Sequence, residues 1–473
     1  MNPLNILRYQ LQSLQFEEYE IIRYLKLLFR KGFFPSKGSL ENGLVWTSKM
    51  ILVFIIALLF EILILILLFK ITIYISILWL ILFFFSWPFL ISLSLLIIWP
   101  IDTIYKNLII NKARKILKKE PNIKIVAIAG SYGKTTMKNI VVTVIGPKLK
   151  VIATPESVNT PVGISRWLIT LLQKEQKPDV LIVEMGEHYR NDIKFLCSIT
   201  PPDISILTGI NEAHFDRLKD IKETIATMFE VVDYAKKDAQ IILNADDKHI
   251  KSNYKKYIND KKTFFYSAKN NPLCPIKIIG REFDPEKFNW SFIIEGLGQI
   301  IIPFLGEYAI GDVIAAKITA ESLGFNNEEI KKGIDQLKPV PRRLELINGQ
   351  NDILVIDDSY NGNPDGVAEA IKTLSQFSQR RKIFITPGLV EMGDKAKEIH
   401  QKIGNNLAKV ANKVILIKTQ VSPYIAEGLK ENGFQDKDII WFNSSKEAHQ
   451  SLTKILRSGD VILFQNDWSD QYI

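Results

Sequence analysis

Cysteine and histidine are almost missing from this sequence, with two and five copies in 473 residues. Cys197 and Cys274 stand far apart and make no metal or redox spacing, which argues against a disulfide-stapled fold and for a reducing compartment. The histidines show no zinc-type clustering either. No short apolar core with a small-residue cleavage site opens the chain, so a cleaved signal peptide is not expected. Internal repeats and low-complexity segments are absent outside one apolar block. The net charge of +9 is modest for this length. Much of the excess lies beside the apolar block, so it reads as membrane-surface charge, and no nucleic-acid partner is expected.

What the sequence does have begins with that block. Ile51–Phe69 is almost wholly Leu, Ile and Phe, with Glu61 its single charge, and after Lys70 the apolar run continues through Trp87-Pro88 to Trp99. Each half reaches the roughly 20 residues that cross a bilayer. Arg8, Arg23, Lys26, Arg30, Lys31, Lys37 and Lys49 precede the first half; Lys106, Lys112, Arg114, Lys115, Lys118 and Lys119 follow the second. Positive charge on the cytoplasmic side then predicts a two-span hairpin in the cytoplasmic membrane, with the lipid bilayer as a partner and both termini inside. Glu61 is expected to pack against the second helix or to draw in a little water, with a functional intramembrane carboxylate as the other reading. Before the block, Tyr19, Ile22, Leu25 and Phe29 recur at helical spacing, which predicts a helix around Gln10–Phe29.

From Ile123 the pattern changes to short apolar runs alternating with helical stretches. Candidate strands are Ile123–Ala129, Val180–Glu184, Ile204–Thr208, Ala239–Leu243, Leu354–Asp357, Lys382–Thr386, Val414–Ile417 and Asp460–Phe464. Candidate helices are Thr136–Ile145, Asp312–Leu323, Glu328–Leu337 and Gly366–Phe377. Continuous apolar strands of this kind predict buried parallel sheets in a doubly wound α/β fold. Two prolines at Lys338-Pro-Val-Pro341 mark a boundary.

The first strand runs into Gly130-Ser-Tyr-Gly133-Lys134-Thr135-Thr136. Glycines permit tight turns whose N–H groups converge on phosphate oxygens, and the following helix presents its positive dipole end. Lys134 supplies a mobile charge for the β/γ-phosphates, and Thr135 a hydroxyl for Mg²⁺. The usual pattern has a glycine five residues before Gly133, where this sequence has Ile128, so the loop is a shortened one. Further groups recur at strand ends, where open α/β sheets bind ligands: Glu184-Met-Gly186, Asn211-Glu-Ala-His214-Phe-Asp216, and Asp357-Asp358-Ser-Tyr-Asn361-Gly-Asn-Pro364. Arg342-Arg343 follows the proline boundary, placed to reach a phosphate across a cleft. Each alone has an ordinary explanation: a surface Glu, a helix cap or a solvated basic face.

In this order, with Asn159-Thr-Pro-Val-Gly163, Asn244-Ala-Asp246 and Arg343-Leu-Glu345, they resemble the Mur ligases over about residues 123–473. These are ATP-dependent amide-bond ligases of peptidoglycan precursor synthesis. Asp357–Pro364, with Glu391-Met-Gly393 and His400, is most similar to the branch that adds D-alanyl-D-alanine to a UDP-MurNAc-tripeptide. The resemblance implies ATP and Mg²⁺, activation of a substrate carboxylate as acyl phosphate, and attack by an amine such as D-Ala-D-Ala. It implies Gly130, Ser131, Gly133, Lys134, Thr135 and Thr136 on the nucleotide phosphates. Thr135, Glu184 and His214 would serve metal, and Asn159 would sit near the reacting carboxylate. Asp312, Arg343 and Asp358 would contact the nucleotide, Arg343 at its phosphate.

The departures are specific. The family's carbamylated lysine falls on Met228, two residues before Glu230, and a thioether carries no carbamate. The adenine-contacting Asn is Asp312, which keeps an acceptor and loses the amide donor. The element before it reads Tyr308-Ala309, and a C-terminal Lys-Gly-Ser type motif reads Gln465-Asn466-Asp467-Trp468. In place of a UDP-gripping N-terminal domain stand a basic cytosolic helical segment (1–48), a transmembrane hairpin (49–99) and a basic linker (100–122). A P-loop-type parallel-sheet central domain (123–340) and a Rossmann-like C-terminal domain (341–473) are expected after them. Two other readings stay open: a ligase for a lipid-linked or other polymer acceptor, and a membrane-tethered ATP-binding scaffold without ligase activity. The sequence leaves the oligomeric state open.

Overall fold

A computed structural model describes the chain except residues 1–2, 36–42, 72, 175–176, 188, 213–217, 219, 361 and 466–473, and except the side chains of 3 and 72–81. The expectations for His214, Asn361 and Asn466–Trp468 therefore fall outside the described residues. The chain divides into two units, Met1–Ile109 and Ile110–Ile473.

The first unit is helical: α1 (Pro3–Phe16), α2 (Ile21–Lys31), α3 (Ser48–Ile71) and α4, which runs from Ile73 to Leu117. The single helix expected around Gln10–Phe29 is in fact two. Three glutamates crowd the break at Glu17–Glu20, where Glu18 and Tyr19 take left-handed φ of 54° and 66°, and Glu17 pairs with Arg23 at 2.6 Å. Tyr9, Leu14, Tyr24 and Leu28 share one core with Met50, Val53, Ala57, Trp87 and Ile91 of the apolar helices. Glu61 is buried on the same face of α3. α4 stays helical through Pro88 and Pro100, so most of the expected linker is helix. Both α3 and the part of α4 from Leu82 are long and apolar enough to cross a membrane. Asp102 of α4 ties Lys49 and Lys106 together at 2.8 and 2.9 Å.

In the second unit, β1 (Lys124–Ala129), β2 (Val151–Ala153), β3 (Val180–Glu184), β4 (Ile204–Leu207), β5 (Gln240–Asn244) and β6 (Lys262–Tyr266) form one sheet. Its order is β2-β3-β1-β4-β5-β6, and every pairing is parallel. Covering it are α5 (Lys134–Ile145), α6 (Pro161–Leu172), α7 (Asp192–Ile199), α8 (Ile221–Asp233) and the short α9 (Lys248–Asn253). Because both faces are covered, the strands read as unbroken apolar runs. An antiparallel meander follows, β7 (Ile278–Asp284), β8 (Asn289–Ile294) and β9 (Gly298–Ile302), which the sequence reading missed. α10 (Tyr308–Ser322) and α11 (Asn327–Ile334) close this half. α5, α10, α11 and the meander bury one face of the sheet. α6, α7, α8 and residues 110–117 bury the other.

The last third has its own sheet: β10 (Glu345–Asn348), β11 (Leu354–Asp358), β12 (Lys382–Thr386), β13 (Lys413–Ile417), β14 (Ile439–Phe442) and β15 (Val461–Gln465). The order is β10-β11-β15-β12-β13-β14, with only β10 antiparallel. Its helices are α12 (Pro364–Ser375), α13 (Ala396–Leu407), α14 (Ser422–Glu431) and α15 (Ser445–Ile455). Between the two sheets, Pro341–Leu344 carries Arg342 and Leu344 at φ of 58° and 49°. This tight connection fixes where Arg343 stands.

Candidate active site

The site begins where β1 stops. Gly130 has φ 146°, and a Cβ there would lie 2.1 Å from Thr208 Oγ1 and 3.0 Å from the Gly209 backbone. The loop is therefore pressed against the end of β4, and Ser131 N–H donates to Gly209 O at 2.8 Å. Gly133 caps α5 in the left-handed conformation, φ 77°. Ser131 Oγ is buried and finds no partner among the described residues. An orphaned hydroxyl in a glycine cradle at a helix N-terminus fits a phosphate oxygen. Gly130→Ala is expected to destabilise the chain by about 1–3 kcal/mol through overpacking. A thermal-shift measurement with and without ATP reads both the lowered midpoint and the weakened ligand stabilisation.

The charged groups converge on this loop. Lys134 donates to Gly130 O and stands 3.3 Å from the buried Glu187. Thr135 Oγ1 lies 3.2 and 3.3 Å from the two oxygens of Glu184 at the end of β3. Lys138, one turn beyond Lys134, pairs with Glu184 at 2.9 Å. Thr136 is buried. Asn159, just before α6, accepts the Gly186 N–H at 3.2 Å. Its side chain covers Gly186, where a Cβ would meet it at 2.6 Å. Among the described residues no three His, Cys, Asp or Glu side chains gather as a metal cage. Mg²⁺ commonly takes one or two protein oxygens and completes its shell with water and phosphate, so the Thr135–Glu184 pair fits it.

The second sheet faces this loop with its own set. Arg343 donates to Tyr360 O and lies over the Tyr360 ring, 4.8 Å from its centroid. The Tyr360 hydroxyl is 2.9 Å from Ser157 Oγ, two residues from Asn159. Asn211 donates to Asn363 Oδ1 at 3.0 Å and to Asp365 Oδ2 at 2.8 Å. Asn363, not the Asp357-Asp358-Ser run, caps α12. Asp358 at the end of β11 is pushed up to about 6 by burial, against the opposing pull of the Arg343 guanidinium and the Leu344 N–H. The sequence reading had singled out neither Lys138, Glu187 nor Tyr360. The i,i+4 spacing of Lys134 and Lys138 was the available signal for the first.

Residues 128–320 match the family model of the Mur ligase middle domain, and 342–465 match that of the Mur ligase glutamate ligase domain. The chain belongs to the Mur ligase family. The UDP-N-acetylmuramoyl-tripeptide–D-alanyl-D-alanine ligase of Bacillus subtilis is 24% identical over 353 residues, 74% of each chain. The enzyme of that name from Buchnera aphidicola is 30% identical over 310 residues, 64% of this chain and 66% of its own. In fold, the MurF ligase of Thermotoga maritima in complex with ADP aligns with TM-score 0.66 and 22% identity, over 76% of this chain and 80% of its own. MurF from Acinetobacter baumannii gives 0.67 and 20% identity, over 78% of each.

As a Mur ligase the chain keeps its departures. Met228 is fully buried in the apolar layer under the central sheet. Glu230 instead accepts the N–H groups of Asn191 and Lys194 at 2.9 Å, holding the start of α7. Asp312 is buried within α10 and its Oδ2 has no partner among the described residues. Burial pushes its carboxyl well above the usual range. An un-ionised carboxyl carries an O–H donor beside its acceptor, which offsets the amide donor lost from Asn. His400 is buried and serves structure: its Nε2 accepts the Leu389 N–H at 2.9 Å, and burial lowers its basicity.

Proposed function

We propose that this Mur ligase joins D-Ala-D-Ala, or a closely similar amine, to a UDP-MurNAc-tripeptide or related peptidoglycan precursor at the expense of ATP. The observation that carries the reading is the convergence of Lys134, Thr135 and Glu184 on one phosphate-type loop, with Arg343 on the opposing sheet. The names of the relatives support the substrates. Ser131, Lys134 and the loop N–H groups bind the triphosphate, and Thr135 and Glu184 hold Mg²⁺, which when bound neutralises charge on the β- and γ-phosphates. Asn159 orients the acceptor carboxylate, which takes the γ-phosphoryl group to give an acyl phosphate and ADP. The amine then attacks the acyl carbon, and phosphate leaves as the amide forms. Such chemistry depends on positioning and charge stabilisation, with no protein nucleophile. Asp312 and Asp358 serve the nucleotide from α10 and β11.

α3 and α4 anchor the enzyme in the cytoplasmic membrane, with the catalytic part inside the cell. Residues 3–117 hold no strand among the described residues. This observation favours a second reading, in which the acceptor is lipid-linked.

Phosphate release by the detergent-solubilised enzyme tests the first reading. Release that requires ATP, UDP-MurNAc-tripeptide and D-Ala-D-Ala together supports it. Release only with a lipid-linked acceptor favours the second reading. Bound ATP with no release under any condition leaves the scaffold.

A further inference from the structure

Proline 88 lacks the N–H that would bond the carbonyl of Phe84 one turn earlier, and in an apolar helix such a carbonyl is costly to leave alone. Gln10 of α1 supplies the missing donor: its Nε2 lies 2.9 Å from Phe84 O and 3.0 Å from Phe33 O. Gln10 is fully buried. Phe84 lies eleven residues into α4, about 16 Å along the helix axis from its start. That is close to the middle of a hydrocarbon core of about 30 Å.

The other end of the α1–α2 hairpin is fixed as firmly. Gln15 exchanges two 2.9 Å bonds with the Val45 backbone, and the Tyr19 hydroxyl is 3.1 Å from Thr47 Oγ1, at the entry to α3. The hairpin thus turns at the level where α3 begins and runs alongside the spans to the level of Phe84. Its far end is aromatic: Phe33 and Phe34 pack on Phe85 at 5.7 and 5.4 Å, and Phe29 on Phe89 at 6.4 Å. Ile22 and Phe29 nevertheless remain 70% and 66% exposed.

We propose that α1 and α2 are a re-entrant pair embedded in the cytoplasmic half of the bilayer, and that the partner of their outward apolar face is lipid acyl chain. This rests on the reading of α3 and α4 as membrane spans. Lys26 and Arg30 on α2 are long enough to carry their charges back to the phosphate level, where anionic headgroups attract them. Arg23 already has its counter-ion in Glu17.

The test uses the full chain with Cys197 and Cys274, both buried, replaced by alanine. Single cysteines are placed at Ile22, Phe29, Glu20 and Leu59, labelled with an environment-sensitive fluorophore, and reconstituted in phosphatidylethanolamine–phosphatidylglycerol vesicles. Leu59 reports the outward face of α3, and Glu20 the turn. Labels at Ile22→Cys and Phe29→Cys are expected to shift to the blue and to lose emission to acyl-chain nitroxides, as Leu59→Cys does. Glu20→Cys is expected to lose emission to aqueous iodide. If Leu59→Cys is lipid-quenched while Ile22→Cys and Phe29→Cys follow Glu20→Cys, the re-entrant pair is wrong and the spans stand. If Leu59→Cys is also in water, the spans fail and the proposal with them. All four labelled positions are exposed side chains in the structure, so labelling them leaves the core intact.

Discussion

Lys134→Ala is expected to lower substrate-dependent phosphate release by about 10²–10³-fold, the usual loss when one preorganised charge or donor is removed from a transition state. Lys134 is the first residue of α5. It rests against Gly130 O and the buried Glu187, both contacts that a phosphate group displaces without moving the backbone. Lys138 is no substitute, because it is held 2.9 Å from Glu184 and bonds Thr154 O at 3.0 Å. The variant should still fold, since Ala is the best helix former at the first position of α5. Single-turnover phosphate release beside direct ATP binding separates the outcomes. Unchanged binding with lost release places Lys134 in the chemical step. Equal loss of both makes it a ground-state anchor, and undiminished release would remove it from the site.

The central part of this architecture was legible because its physics is local. A strand covered on both faces must be apolar throughout, so Val180–Glu184 and Lys382–Thr386 stand in the sequence with the bounds they have in the structure. The phosphate loop was legible because glycine is needed twice and the lysine follows at once. The meander was not. β7 exposes most of its residues and shifts register between Ile279 and Glu282, so no clean alternation survives in Ile278–Ile302. The α1–α2 hairpin was hidden for the opposite reason. Gln10, Gln12 and Ser13 are polar side chains, yet they are buried, and Gln10 meets carbonyls distant in sequence. Within the site, the acids and bases at strand ends could be found one by one. That Tyr360 joins Arg343 to the loop carrying Asn159 is a tertiary fact with no local signature.

Arg343→Ala should be nearly as damaging, about 10²–10³-fold in kcat, and it carries a second, more discriminating signature. The guanidinium is the leading influence that holds the Asp358 carboxyl down against burial. Its removal must move Asp358 further above its present value of about 6. If ionised Asp358 serves the nucleotide, activity falls as pH drops through that value, so the acid limb of the rate profile lies near 6 and moves upward in Arg343→Ala. Asp358→Asn abolishes the limb. Stability carries the opposite sign. The folded value exceeds the unfolded 3.8, so the folded state gains most below 3.8, and that gain is lost as pH rises to about 6 and stays flat above it. Arg343→Lys separates charge from geometry: it retains a cation near Asp358 and keeps the limb in place, but an ammonium cannot reproduce the planar fork that lies over Tyr360 and reaches its carbonyl. A restored pH profile with a still-depressed rate would assign Arg343 both jobs, holding Asp358 ionised and holding Tyr360 against Ser157. An acid limb unmoved in all three variants would detach Asp358 from the reaction and leave Arg343 acting on phosphate alone.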